Sequence, residues 1–407
     1  MPFRIALSGL NAASTDLQVT GNNIANAATN GFKESRAEFS NLFASAVQDT
    51  GSSPGQGVKV AKVAQQFSQG SVDFTSNNLD LAISGQGFFV LESTDGSQTY
   101  TRAGAYSVDR EGYVINNAKD RLQVYQAVTG LGGTTTFNTG ALTDLQLPTS
   151  PSSPNASTTV SAAVNLNSSQ AAPAIPFDAT NPASYNGATS TTVYDSLGNA
   201  HTQTMYFRKD AANLNTWEQY TYIDATAVGG ANILTFDASG ALTSPPAVPA
   251  APYDPGNGAA PINLTLDLAG TTQYGTSFAV NNLSQDGYTS GRLAGVDIDT
   301  DGVVFARYTN GQSAALGKVA LAKFNNQQGL REIGNSNWAE SFSSGTPQLG
   351  EAATSSFGQI QSGALEASNV DIAAQLVNLI TAQRSFQANA EVISTADSIT
   401  QSVINIR

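Results

Sequence analysis

Three aspartates at alternate positions are the most conspicuous candidate for a metal site in the sequence. Asp297, Asp299 and Asp301 occupy the first, third and fifth positions of an EF-hand-like loop, and Gly302 occupies the sixth. The twelfth position, however, is Tyr308, which has no carboxylate for bidentate binding of calcium. The flanking residues alternate as in strands, not as in helices. A hairpin turn at Asp301-Gly302 explains the same residues, and we favour it over a calcium site.

The other candidates for catalysis or ligand binding are sparse. His201 is the only histidine, so a histidine-based triad has little to draw on and a multi-histidine metal site has no second member. Gly85 and Gly87 precede a strand-like run instead of a helix, which does not support a phosphate-binding loop. A carboxylate pair for glycoside hydrolysis remains open, but the spacing singles out no pair. We therefore predict that the chain is not an enzyme and uses no cofactor and no metal.

Composition narrows the remaining classes. The chain has 407 residues, enough for several domains with substantial cores. Only 12% of the residues are charged, so the polar surface must consist mainly of Ser, Thr, Asn, Gln and Gly, as in secreted and surface-exposed assemblies. The net charge of −13 argues against nucleic acid and anionic lipid as partners. With no cysteine, disulfides and thiolate metal sites are excluded.

The sequence predicts neither a cleaved signal peptide nor a membrane span. Met1-Pro2-Phe3-Arg4 lacks a basic region followed by an apolar run, so we predict no cleaved signal peptide. No window approaches the roughly 18 consecutive apolar residues of a membrane span, so we predict no membrane insertion. If the protein leaves the cell, we expect a route that needs no cleaved signal.

Heptad-like spacing at both ends predicts two helices that seek helical partners. Steps of four and three residues connect apolar or small residues from Phe3 to Ala28 and again from Ile372 to Ile393. The first helix is predicted over residues 3–28, with a stop at Asn30-Gly31. The second is predicted from an N-cap at Ser368, with Asp371 in its first turn, almost to Arg407. The predicted assembly-interface residues are Leu7, Leu10, Leu17, Ile24, Ile372, Leu376, Leu379, Ile380, Phe386 and Ile393.

The same spacing also fits a second interpretation, in which the two helices bury their stripes on each other within one chain. Such a two-helix stalk would be too thin to shield both faces of each helix. Ala, Ser and Asn on the remaining faces would allow further helices to approach closely. Self-assembly is therefore the interpretation that we favour.

The middle of the chain predicts β structure. Short alternating runs separated by turn residues indicate antiparallel sheets, and Pro-rich stretches at 148–154 and 244–255 indicate a linker and a long loop. The predicted fold is multidomain and mainly β, with paired helical termini that form a coiled-coil-like inner domain and two antiparallel β domains nested outward. The predicted domains are residues 1–30 with 368–407 (inner helices), 31–70 with 343–367 (connector), 71–145 with 283–342 (first β domain) and 146–282 (outer β domain).

Motifs at both ends resemble those of the bacterial flagellar rod and hook proteins, a family of axial proteins. At the start, the motifs are residues 8–13 (SGLNAA) and 21–33 (GNNIANAATNGFK). At the far end they are residues 363–371 (GALEASNVD) and 382–390 (AQRSFQANA). In the middle, residues 192–201 (TVYDSLGNAH) are similar to the outer domain of the hook members. The resemblance covers nearly the whole chain and is weakest around 146–185 and 225–262.

This resemblance implies a function in the flagellum. It implies a tubular homopolymer that flexibly couples the rod of the rotary motor to the filament, with the terminal helices lining the tube. It also implies export through the flagellar type III apparatus and contacts with the distal rod protein, the hook cap and the hook–filament junction proteins. The alternatives are a distal rod or hook–filament junction protein and a secreted β-rich adhesin, which would bind a host ligand without needing the terminal helices.

Overall fold

The chain begins and ends with a long helix, and the region between the two helices consists mainly of strands. The computed structural model describes residues 2–42, 55–129, 135–354 and 356–405, so part of the predicted connector, residues 43–54, lies outside the described residues. Helix α1 spans Pro2–Ala25 and helix α2 spans Ile372–Asn405. None of the helices formed by the described residues is long and apolar enough to cross a membrane.

Both helices differ from the predicted ones at their boundaries. Regular helix ends at Ala25, and the turns that follow lead to Gly31, whose φ of +70° is the left-handed conformation expected of the predicted stop. The predicted N-cap at Ser368 is wrong. Asp371 caps α2, because its Oδ1 accepts hydrogen bonds from the N–H groups of Ala373 (2.9 Å) and Ala374 (3.2 Å).

The strands are short and follow one another closely along the chain. They are β1 (Ser35–Asn41), β2 (Val58–Gln65), β3 (Val72–Phe74), β4 (Leu81–Ser84), β5 (Phe88–Glu92), β6 (Gln98–Thr101), β7 (Ser107–Val108), β8 (Val114–Ile115), β9 (Arg121–Thr129), β10 (Thr135–Asp144), β11 (Thr159–Asn167), β12 (Gly187–Tyr194), β13 (Ala200–Lys209), β14 (Thr216–Ile223), β15 (Thr226–Ala227), β16 (Asn232–Thr235), β17 (Ala247–Pro249), β18 (Thr265–Asp267), β19 (Thr272–Tyr274), β20 (Ala279–Gln285), β21 (Leu293–Ile298), β22 (Val303–Tyr308), β23 (Ser313–Lys323), β24 (Arg331–Gly334), β25 (Asn337–Ala339), β26 (Gln348–Glu351), β27 (Gln359–Ser362) and β28 (Ala364–Glu366). Short 3₁₀ helices span Pro182–Ser184 and Gln327–Gly329.

The chain divides into two compact units. Unit 1 comprises Met1–Thr149, Gly295–Arg307 and Ser313–Arg407, and unit 2 comprises Ser150–Ala294 and Tyr308–Gln312. The chain thus leaves unit 1, builds unit 2, and returns to complete unit 1.

Unit 1 is built around the long strand β23. This strand pairs antiparallel with β5, β9, β22 and β26, so early and late parts of the chain share one sheet. Aromatic side chains pack edge to face over the sheet, with Phe88 5.7 Å from Trp338 and Tyr100 4.8 Å from Phe324 between ring centroids. Both terminal segments, with helices α1 and α2, belong to the same unit as this core.

Unit 2 contains a mixed sheet, and the prediction of a purely antiparallel outer domain is wrong in this respect. Strand β11 pairs antiparallel with β20 but parallel with β18 and β19. Strands β12, β13 and β14 form a separate antiparallel meander. The buried indole of Trp217 donates a hydrogen bond of 2.7 Å to Gln273, which joins the core residues of the two sheets within this unit.

The aspartate motif is a turn, as predicted. Asp299 Oδ1 accepts hydrogen bonds from the N–H groups of Asp301 (3.0 Å) and Val303 (2.8 Å), and Asp297 forms an ion pair with Arg307. Gly302 has a φ of +80°, a left-handed conformation that favours glycine at this position of the turn. In the part of the chain that the structure describes, no group of three or more His, Cys, Asp or Glu is arranged to hold a metal ion.

Candidate assembly site at the chain termini

Helices α1 and α2 form an antiparallel pair with a regular register. A Cβ at Gly9 would overlap the amide of Asn389, and Asn23 Nδ2 donates a 3.3 Å hydrogen bond to Gln375 Oε1. Asn23 is 14 residues after Gly9, and Gln375 is 14 residues before Asn389. The two contacts therefore belong to one continuous seam with a heptad repeat.

Small and polar residues, not leucines, form the centre of this seam. On α1, Ala6, Ala13 and Thr20 are buried at intervals of seven residues. On α2, Gln375 and Ala382 are buried at the same interval, and the half-buried Asn389 continues the series. Small side chains allow the two backbones to approach closely, so the pair is narrow and covers only part of each helix surface.

The structure separates the predicted interface residues into two groups. Six of them lie four residues beyond a seam position and are half-buried, namely Leu10, Leu17, Ile24, Leu379, Phe386 and Ile393. The other four are largely exposed, namely Leu7 (42%), Ile372 (52%), Leu376 (47%) and Ile380 (49%). The helix pair therefore uses one group and leaves the other available to a partner.

The exposed group on α2 forms one stripe. Ile372, Leu376 and Ile380 lie four residues apart, which places them on the same face of a helix. Val377, 63% exposed, widens this stripe, and Ile399, 60% exposed, is a separate exposed apolar side chain near the other end of α2. Sequence reasoning missed Val377 and Ile399 because neither falls on the heptad positions, although their apolar side chains on a predicted helix were a usable signal.

A buried ion cluster lies where the two terminal segments join the β structure of unit 1. Glu366 Oε1 lies 2.5 Å from Lys33 Nζ, and Glu366 Oε2 lies 3.1 Å from Arg102 Nη1. All three side chains are at least nine-tenths buried. Burial lowers the pKa of the Lys33 ammonium despite the opposing charge of Glu366, and burial likewise lowers the pKa of Arg102. We call Lys33, Arg102 and Glu366 the charged clasp.

Backbone groups form further hydrogen bonds with the side chains of the charged clasp. Lys33 Nζ donates to the carbonyl of Ser68 (2.8 Å), and Arg102 Nη2 donates to the carbonyl of Gly85 (2.8 Å). Glu366 Oε1 also accepts a 3.0 Å hydrogen bond from the N–H of Gly70. Lys33, Gly70 and Arg102, three positions distant in sequence, therefore bond to the Glu366 carboxylate. This fixes the chain that follows α1 relative to the chain that precedes α2.

Neutral side chains extend the same junction up to the helices. Asn23 exchanges two hydrogen bonds with the backbone of Ser35, at 2.7 and 2.9 Å. Gln375 donates to the carboxylate of Glu34 (2.8 Å), and the N–H of Glu34 donates to Asn369 Oδ1 (2.7 Å). The bond of Glu34 to Asn369 anchors the residues that precede α2, and the helix begins after its cap at Asp371.

Sequence reasoning quoted the motifs that contain the charged clasp without assigning it a role. Lys33 ends the motif of residues 21–33, and Glu366 lies within that of residues 363–371. A signal was available for Glu366, because only 12% of the chain is charged and this residue stands among small or apolar neighbours. The pairing of Lys33 with Glu366 across more than 300 residues is a tertiary contact that no local pattern reveals.

The only histidine of the sequence, His201, contacts two carboxylates within unit 2. His201 Nδ1 lies 2.6 Å from Asp224 Oδ2, and Nε2 lies 3.4 Å from Asp195 Oδ2. Asp195 also accepts a hydrogen bond of 2.7 Å from Asn257, and the Tyr253 ring lies edge to face with the imidazole. Burial alone lowers the pKa of His201, but the hydrogen bonds to Asp224 and Asp195 outweigh it and raise the pKa above 6.5.

The raised pKa predicts that His201 stabilises unit 2 more at low pH than at high pH. Because the imidazolium is favoured in the folded state, its contribution is complete below pH 6.5 and is lost as the pH rises through the higher folded pKa. We expect His201→Gln to lower the free energy of unfolding by about 1 kcal/mol at pH 6 and by less at alkaline pH. Thermal unfolding across this pH range measures the difference, and the single imidazole NMR signal gives the pKa. A difference that grows with pH would contradict the prediction.

Comparison with family models covers both ends and the middle of the chain. Residues 3–33 match the model described as flagella basal body rod protein, and residues 361–406 match the flagellar basal body rod FlgEFG protein C-terminal model. Residues 82–165 match the flagellar hook protein FlgE/F/G D1 domain, and residues 165–288 match the flagellar basal body protein FlaE D2 domain. The terminal matches include all of α1 except its first residue, all of α2, Lys33 and Glu366.

The relatives described next match this chain over its whole length, and each is described as a flagellar hook protein FlgE. The chain is 40% identical to the flagellar hook protein FlgE of Escherichia coli and 40% identical to that of Salmonella typhimurium, with 100% of each chain covered. It is 33% identical to the flagellar hook protein FlgE of Rhizobium meliloti, covering 100% of this chain and 98% of the relative. The crystal structure of Helicobacter pylori flagellar hook protein FlgE2 matches with a TM-score of 0.53, covering 72% of this chain and 100% of that one. At 17% identity, the last likeness concerns the fold alone.

Proposed function

Because the chain belongs to the family of flagellar hook proteins, we propose that it is the subunit of a tubular homopolymer that couples the motor rod to the filament. The proposal rests chiefly on the apolar stripe that α2 exposes in the single chain. It assigns the terminal helices to the inner wall of the tube and the β units to its outer layers. A structural role of this kind requires no catalytic site.

The exposed stripe supports self-association on energetic grounds. Burying a side chain such as Leu or Ile contributes roughly 1.5–3 kcal/mol, and Ile372, Leu376 and Ile380 are each about half exposed in the single chain. Phe3 (52% exposed) and Leu7 (42% exposed) add apolar surface on α1. A partner helix would bury these side chains, and further copies of the same chain supply such helices at a regular spacing.

The two groups of predicted interface residues have different roles in this proposal. The half-buried group, represented by Leu17, Leu379 and Phe386, stabilises the helix pair and keeps its register. The exposed group, represented by Leu376 and Ile380, forms the contact between subunits. The charged clasp transmits force between the helix pair and the β structure, because buried, hydrogen-bonded charges resist separation.

A flexible coupling also needs contacts that exchange. The surface of unit 2 is rich in Thr, Asn, Ser and Gln, and such polar, hydrated contacts exchange more easily than an apolar seam. The proposal includes export through the flagellar type III apparatus without a cleaved signal. It also includes contacts with the distal rod protein, the hook cap and the hook–filament junction proteins at the ends of the tube. The distal rod and junction proteins remain the alternative identities within the flagellum.

Substitutions within the stripe test the proposal without disturbing the fold. We expect Leu376→Gln combined with Ile380→Gln to abolish tube formation, while the melting temperature of the monomer stays nearly unchanged because both side chains are about half exposed. Negative-stain electron microscopy and sedimentation measure assembly, and circular dichroism measures the fold. The control is Leu376→Met with Ile380→Met, which keeps the apolar area and should keep assembly. Normal tubes from the glutamine variant would refute the role of the stripe. If the wild type forms no tubes and binds a host ligand instead, the result would favour the alternative function as a secreted adhesin.

A further inference from the structure

Most of the contacts that hold α1 against α2 repeat every seven residues and therefore do not define a unique alignment. The half-buried apolar residues share this interval, namely Leu10, Leu17 and Ile24 on α1 and Leu379, Phe386 and Ile393 on α2. The small residues at the centre of the seam repeat at the same interval. A slide of one helix by seven residues, about 10 Å along the axis, would again place apolar side chains beside apolar side chains. Apolar packing thus fixes the alignment only to within whole heptads.

One polar pair of the seam does not repeat. Asn23 and Gln375 are both almost completely buried, and Asn23 Nδ2 donates to Gln375 Oε1 across the seam (3.3 Å). Each amide has a second partner, because Asn23 exchanges two hydrogen bonds with the backbone of Ser35 and Gln375 donates to the carboxylate of Glu34. A buried amide that loses a partner is left unpaired away from water, which destabilises the chain. This pair therefore distinguishes one alignment from the others.

A slide of one heptad would break this pair in either direction. Asn23 would then face Ala382, which has no polar side chain, or a residue that precedes α2. A second contact gives the same result near the other end of α1. The amide of Asn389 lies against Gly9, where the lack of a side chain leaves room for it, and the first of these slides would move this amide to Asp16. Only the observed alignment satisfies both contacts.

The charged clasp does not make this pair redundant. The N–H of Gly31 donates to the carbonyl of Glu366 (2.7 Å), so the chain that follows α1 is tethered beside the clasp. Residues 26–30, between Ala25 and Gly31, form turns. The six residue steps from Ala25 to Gly31 span up to about 20 Å when extended. These turns contain enough chain for α1 to slide by one heptad away from the clasp, so the tether limits the slide without preventing it.

We propose that Asn23 and Gln375 select the register of the helix pair. A slide by one heptad would move the exposed Leu7 of α1 by about 10 Å relative to the stripe that begins at Ile372, so each register gives a different apolar surface. A polymer with identical contacts needs one such surface on every subunit. A buried polar pair can specify a single register at some cost in stability, as one buried Asn does in coiled coils. The register is a property of the single chain, and its consequence for tubes rests on the proposed function.

Distances between two spin labels test the register in the full chain. The chain has no cysteine, so Gln18→Cys and Ser398→Cys place one label at an exposed position of each helix. We expect a single distance when no other residue is changed. When Asn23→Ala and Gln375→Ala make the seam uniformly small, we expect the helical circular dichroism to persist and a second distance to appear, with its axial component shorter by about 10 Å. Gln375→Ala alone, which keeps the bonds between Asn23 and Ser35, should show the same second distance.

The matched control removes one Asn and one Gln from exposed positions of the same two helices. Asn11→Ala with Gln387→Ala should keep a single, unshifted distance. A single, unshifted distance in both variants that lack Gln375 overturns the proposal. Loss of the helices in those variants also overturns it, because the pair would then serve stability and not the choice of register. Tube formation is measured separately, and absence of tubes from the wild type counts against the proposed function while the measured register stands.

Discussion

Replacing Glu366 with alanine is expected to lower the free energy of unfolding of unit 1 by about 3–5 kcal/mol, since it leaves two buried cations without a counter-charge. Lys33 and Arg102 are each at least nine-tenths buried in the charged clasp, so solvent cannot replace the lost carboxylate without opening the junction. The N–H of Gly70 loses its acceptor at the same time.

The two tryptophans allow this effect to be measured in the full chain. Trp338 lies in unit 1 and Trp217 in unit 2, so the fluorescence of a Trp217→Phe background reports denaturant unfolding of unit 1. The matched control is Glu111→Ala, which removes an ion pair with the almost fully exposed Arg110 and should change stability little. If Glu366→Ala costs no more than this control, the charged clasp does not hold the junction.

Deleting residues 1–28 or residues 370–407 is expected to abolish tube formation completely and to leave a soluble, β-rich monomer. Each deletion removes one member of the helix pair, so the remaining helix loses its seam and the subunits lose the ordered stripe. Lys33, Arg102 and Glu366 lie outside both deletions, so the core of unit 1 should survive. Sedimentation velocity and negative-stain electron microscopy measure the result, and tubes from either truncation would refute the assignment.

Charge reversal on the surface of residues 146–282 provides the contrast to the deletions. We expect such variants to alter the curvature or stiffness of the tube while tubes still form, because polar outer contacts are individually weak. If assembly fails before curvature changes, the outer domain contributes more to assembly than the proposal allows.

Local sequence patterns predicted helices and turns better than they predicted which segments pair with one another. Heptad spacing predicted both terminal helices, and the turn at Asp299 and Gly302 was predicted from residue types alone. The N-cap was placed at Ser368 instead of Asp371, because both residues suit a cap and the choice depends on how Asn369 bonds to a distant segment. The parallel pairing of β11 joins strands about 100 residues apart, and alternation within a strand carries no information about the direction of its neighbour.

The sequence by itself determined that the chain has helical ends, a β-rich middle and the motifs of its family, because periodicity, turn chemistry and motifs are properties of neighbouring residues. Only the tertiary structure decided which apolar residues the helix pair buries and which it leaves exposed. Leu379 and Leu376 fit the same heptad spacing, yet only Leu379 is half-buried beside the seam. Burial depends on the partner surface, and here that surface is a row of small residues more than 300 positions away.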